Sequence, residues 1–129
     1  RANAGRGGAR RGSGAQEWAP GSIAVDTDQP LTEAGLIEAL SLVAQARTAA
    51  VLEDGPTLRT GRATGTGTDC ITVAAPVGDT PFAGLHTAVG EAIGKATHMA
   101  MTRGVADWME ERYGQNDSSH ATADQGTLT

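Results

Sequence analysis

The chain predicts an α/β fold, a layered sheet with helices in a single domain, and three observations carry that prediction. Ser22-Ile23-Ala24-Val25-Asp26 alternates between turn residues as a short strand does, and Ile71 to Ala75 forms a second β-branched run. Two stretches with apolar residues at helical spacing stand between and after these runs. Strand, helix, strand, helix is the order of a layered α/β unit, whose strand order the sequence does not supply. At 129 residues the chain fits one domain with a core of its own. Aromatic residues make up only 3% and glycines number 18, so that core must be built from Ala, Val, Leu and Ile.

Taken in order, residues 1–19 form an Arg- and Gly-rich segment with almost nothing to bury, and flexibility is expected there. An RNA-binding reading of its arginines and glycines has no repeated motif and no aromatic series to stack bases. The domain runs from 20 to 113. After the 22–26 strand, Thr27-Asp28-Gln29-Pro30 turns the chain. Thr32 is suited to cap a helix over about 33–48, Glu33 suits its positive end, and Leu36, Ile37, Leu40, Val43 and Ala44 recur at helical spacing. Glu53-Asp54-Gly55-Pro56 is a turn. The run 71–75 alternates little, as a strand covered on both faces does. A second helix starts after Thr87, with Val89, Ile93, Ala96, Ala100 and Met101 near one stripe and a break expected at Arg103-Gly104. The polar tail, residues 114–129, is expected to be disordered.

Net charge is −5, and because Arg1, Arg6, Arg10 and Arg11 face only Glu17 in the first twenty residues, the body is more acidic still. An acidic body argues against nucleic acid as a partner. No uncharged apolar run in the sequence approaches the length of a bilayer span, and no signal peptide is recognisable, so neither a membrane partner nor export is expected and the cytoplasm is the default. The single cysteine, Cys70, cannot form an intramolecular disulfide and suits a reducing compartment. In a strand it reads as a small buried hydrophobe rather than a nucleophile.

Function concentrates in two strings. Thr64-Gly65-Thr66-Gly67-Thr68-Asp69 brings hydroxyls, backbone N–H groups and a carboxylate to the start of a strand through a glycine-hinged turn. Gly84-Leu85-His86-Thr87 opens the second helix, with Glu91 in its first turn. Neither is a nucleotide motif: Gly94-Lys95 precedes Ala96 inside a helix, and Gly65 and Gly67 lead into a strand. His86 and Glu91 are too few for zinc, and His98 and His120 read as a helix-surface residue and a tail residue. From the residues alone, Asp69 either fixes its turn by accepting backbone N–H bonds or works as an acid or base, and His86 is either a backbone-bonded helix-start residue or a catalytic one.

These two strings, with Gly90-Glu91-Ala92-Ile93-Gly94, Pro20-Gly21-Ser22-Ile23 and Ala46-Arg47-Thr48-Ala49-Ala50, resemble the adenosylcobinamide amidohydrolase (CbiZ) family over roughly residues 20–104. Asn3-Ala4-Gly5-Arg6 resembles a segment that lies well inside the family's domain, which implies a domain incomplete at its N-terminus. One departure is Leu85, where the family usually has Lys. The resemblance implies hydrolysis of the amide joining the corrin side chain to aminopropanol in adenosylcobinamide, yielding adenosylcobyric acid for cobamide (vitamin B12) salvage. It implies a corrinoid small-molecule partner whose cobalt arrives with the substrate, and no cofactor or metal of the protein's own. The site residues expected are Asp69, His86 and Glu91 for proton transfer and orientation, with Thr64, Gly65, Thr66, Gly67, Thr68 and Thr87 contacting substrate; which of the three is the base is open. The alternative is a corrinoid-binding module without catalysis. Oligomeric state is not set by the sequence.

Overall fold

The computed structural model of the chain describes residues 2–6, 22–65 and 69–120. Strand β1 (Ala2–Arg6) pairs antiparallel with β2 (Ser22–Thr27), which pairs in parallel with β5 (Cys70–Ala74), giving the order β1-β2-β5. Helix α1 (Glu33–Asp54) makes the crossover between β2 and β5, and α2 (Ala88–His120) follows. A small hairpin, β3 (Thr57–Leu58) with β4 (Gly61–Arg62), lies between α1 and β5, and Gly61 leaves its turn at φ 127°, which favours glycine. The expected α/β class holds: the chain is one mixed unit with a helical layer against a sheet.

The central strand shows why one layer suffices. Ile23, Val25 and Thr27 are buried while Ser22, Ala24 and Asp26 are exposed, an alternation of period two. The parallel register sets Ile23 beside Ile71 and Val25 beside Val73, so the inward side chains of both strands meet the helices. Opposite them Cys70, Thr72 and Ala74 are exposed beside Ser22, Ala24 and Asp26. The expectation that β5 is covered on both faces is therefore corrected, and so is that of a buried Cys70, whose thiol is on the open face. A strand of small and β-branched residues fits either arrangement, and only the register decides.

Thr32 caps α1 as expected, its Oγ1 accepting from the Gly35 N–H at 3.1 Å. The helix runs to Asp54 rather than 48, because nothing in Ala49-Ala50-Val51-Leu52 stops it and Ala50 and Val51 extend the buried stripe. Gly55 ends it, its N–H donating to the Val51 carbonyl at 2.8 Å. The inward face is Gly35, Ala39, Leu42, Val43, Ala50 and Val51; Ile37 and Leu40, expected inside, are 63% and 41% exposed. By length and apolar content this helix could cross a membrane, contrary to the sequence expectation, but its buried face packs on Ile23, Val25 and Ile93 as the core helix of a layered domain.

A clasp joins the start of α1 to the end of β5. Leu31 donates to the Pro76 carbonyl at 2.9 Å and accepts from the Gly78 N–H at 3.0 Å, while the Thr32 N–H donates to the Thr80 carbonyl at 3.0 Å. Helix α2 passes Arg103-Gly104 without the expected break and continues to His120, beyond Tyr113, so residues 114–120 are helical instead of disordered. One interior glycine costs a helix only about 1 kcal/mol, and beyond it the Arg112 guanidinium lies 5.6 Å from the Trp108 ring. Ala2–Arg6 is likewise a strand and not part of a flexible segment. Residues 7–19 and 121–129, also expected to be flexible, lie outside those described.

The packing yields a first prediction. Ile93→Ala, at a site with no solvent exposure, should cost about 2–5 kcal/mol in a denaturant melt. Ile37→Ala should stay within about 0.5 kcal/mol, the scale of surface substitutions. Equal losses at both positions would show that α1 is rotated from the face described.

Candidate functional site

The two strings singled out in the sequence are anchored by two charged residues on opposite flanks of α1. Arg47, the one basic residue of that helix, forms an ion pair through Nη1 with Asp69 Oδ2 just before β5. Both side chains are largely withdrawn from solvent, at 17% and 12% exposure. Gly65 sits against this pair: a Cβ there would run into Arg47 Nη1 and lie 3.1 Å from Asp69 Oδ2. A larger residue in this turn would make the end of the Arg47 side chain shift. Thr64 beside it is exposed, whereas Thr66, Gly67 and Thr68 lie outside the described residues.

The second anchor is Glu38. Its Oε2 accepts from the Ala83 N–H at 2.9 Å. Its Oε1 and the Nδ1 of His86 both border Gly84, 2.7 and 2.9 Å from where a Cβ of that residue would lie. A carboxylate and an imidazole therefore flank one small space before α2. The His86 ring is exposed and tilts against Phe82, with centroids 6.1 Å apart. Thr87 caps α2: its Oγ1 accepts from the Gly90 N–H at 3.0 Å, and its hydroxyl donates to the Gly84 carbonyl at 2.7 Å. Gly90 in turn lets the first turn of α2 rest on the carbonyls of Ala83 and Gly84. Glu91, in that first turn, is exposed.

Of the three residues expected to share proton transfer, Asp69 pairs with Arg47, His86 borders Gly84 together with Glu38, and Glu91 is exposed in the first turn of α2. Glu38 and Arg47 are nine residues apart, about two and a half turns and 13 Å along the axis, and so point to opposite sides of α1. Sequence reading missed Arg47 and Glu38 as site residues because their partners lie 22 and 45 positions away. The one available signal was Arg47 as the lone cation of its helix. His98, read as a surface residue, pairs through Nε2 with Glu53 Oε2 at 2.7 Å and ties α2 to the end of α1. Among the described residues no three His, Cys, Asp or Glu side chains gather as a metal site.

With this geometry in view, comparison with family models finds a match over residues 2–113 to CbiZ, described as adenosylcobinamide amidohydrolase. No curated protein and no solved structure matches the chain.

The glycines around the second anchor are separable by experiment. Gly94→Ala would place its Cβ 3.4 Å from Leu85 Cδ2, an ordinary contact, and should gain up to about 1 kcal/mol of helix propensity. Gly90→Ala meets backbone carbonyls that cannot rotate away and should lower the melting temperature despite the same propensity gain. Thermal melts of the two variants check the opposite signs.

Proposed function

The chain belongs to the adenosylcobinamide amidohydrolase family, and we propose that it cleaves the amide linking aminopropanol to the corrin side chain of adenosylcobinamide. Water adds across the acyl C–N bond, leaving a carboxylate on the corrinoid and a free amine on aminopropanol. The products are adenosylcobyric acid and aminopropanol, and the corrinoid returns to cobamide synthesis in the cytoplasm. Cobalt enters as part of the substrate.

The observation that carries this reading is the Asp69 carboxylate, fixed by Arg47 at a glycine turn at the mouth of a strand, in a chain of this family. Amide hydrolysis needs a group that takes a proton from water and returns one to the leaving amine, and a fixed carboxylate is suited to it. Asp69 has that part here, with Thr64 and the backbone at Gly65 beside it to contact the amide. His86 and Glu91 engage the substrate away from the scissile bond. Exposed Phe82 and Leu85 beside the imidazole offer an apolar surface to a flat macrocycle.

Incubation with adenosylcobinamide followed by mass spectrometry tests the reaction. Adenosylcobyric acid and free aminopropanol should accumulate together. A shifted corrin absorbance with the amide intact would instead support a corrinoid-binding module, the reading that Leu85 in place of the family's Lys favours. Asp69→Asn should lower kcat by about 10²-fold or more, while His86→Ala should raise KM with kcat changed less than about tenfold. Steady-state kinetics of both variants separate the two roles; a kcat collapse in His86→Ala with KM unchanged would return His86 to the chemistry.

A further inference from the structure

The Arg47–Asp69 pair is poorly explained as a device for stability. A mostly withdrawn ion pair gains little over two well-packed apolar residues, because desolvation offsets the attraction. Arg47 also keeps Nε buried with no hydrogen-bond partner among the described residues, a further cost that a helix serving only the core would shed. Gly65 is small where a larger residue would displace the guanidinium. The helix carries one cation, and the chain leaves room for it next to the carboxylate that precedes β5.

We propose that Arg47 is a positioning residue: it holds the Asp69 carboxylate in the orientation from which it meets the water or the amide, without touching substrate itself. This rests on the reading of Asp69 as the group at the scissile bond. The guanidinium suits the task because it is a rigid, planar fork of donors, whose Nη1 meets Asp69 Oδ2, where a lysine ammonium is a point charge on a flexible stem. The arrangement works from a helix, so the carboxylate is tied to the rigid layer of the domain although it stands in a turn.

Kinetics of Arg47→Ala, Arg47→Lys, Asp69→Asn and the double variant Arg47→Ala/Asp69→Asn on adenosylcobinamide test it. Arg47→Ala should lose about 10- to 100-fold in kcat with KM within about threefold, and Arg47→Lys should recover only part of this. Added guanidinium or ethylguanidinium at millimolar concentration, below denaturing levels, should restore turnover to Arg47→Ala and not to Asp69→Asn. The double variant should be no slower than Asp69→Asn alone, because positioning a group that is absent has no value. A merely structural Arg47 would show no guanidinium rescue and would add its loss to that of Asp69→Asn, and either result overturns the proposal. Full turnover in Arg47→Ala with loss in Asp69→Asn overturns it while leaving the Asp69 reading intact; full turnover in Asp69→Asn overturns both. If Arg47→Ala does not fold, Arg47→Lys decides, since wild-type kcat in that variant would show that the fork is not needed. A denaturant-midpoint cycle on Arg47→Lys and Asp69→Asn reads the pair without activity: non-additive shifts are expected, and additive ones overturn the proposal.

Discussion

An α-helix turns about 100° per residue, and that angle decides where every charged group around α1 can reach. The helix must give one face to Ile23, Val25 and Ile93, which leaves two flanks beside the buried stripe. Glu38 emerges on one and meets Ala83 and the approach to α2; Arg47 emerges on the other and meets Asp69. Even the clasp of Leu31 on Pro76 and Gly78 follows from this, since it closes the crossover at the end where α1 begins and leaves Asp69 at the end where α1 has already run for several turns.

A corrinoid is a large ligand, and a small domain that handles one benefits from contacts spread over more than one place. Asp69 held by Arg47 and His86 beside Glu38 fit a division between the bond that breaks and the body that must be held. Binding energy gathered at a remote part of a substrate can be used to orient the reacting part. On this view the exposed apolar side chains Phe82 and Leu85 would serve recognition.

Much of this was legible before any coordinates, and the failures have physical causes. The cap at Thr32 and the strand over 22–26, which runs one residue further to Thr27, are local chemistry and read true. The inward face of α1 read true only in part: Val43 is buried and Leu36 packs against the core, while Ile37 and Leu40, which satisfy helical spacing equally well, are exposed. Asp69 and His86 announced themselves through glycine-rich neighbours, but the residues that hold them did not, because an ion pair across 22 residues of sequence leaves no local trace. The break expected at Gly104 failed for another reason: a helix already in register carries one poor former.

The sheet face turned away from the helices has a bearing on how this protein behaves in water. Ser22, Ala24, Asp26, Cys70, Thr72 and Ala74 make up its exposed side in β2 and β5, and none of them carries a side chain larger than aspartate. A bare sheet face of valines and leucines would drive association, because hydrophobic attraction grows with contiguous apolar area. Here each methyl is flanked by a hydroxyl, a thiol or a carboxylate, so the surface hydrates readily and presents little adhesive area. The poverty in bulky residues that keeps the core small thus also lets a two-layer arrangement leave one side of its sheet wet.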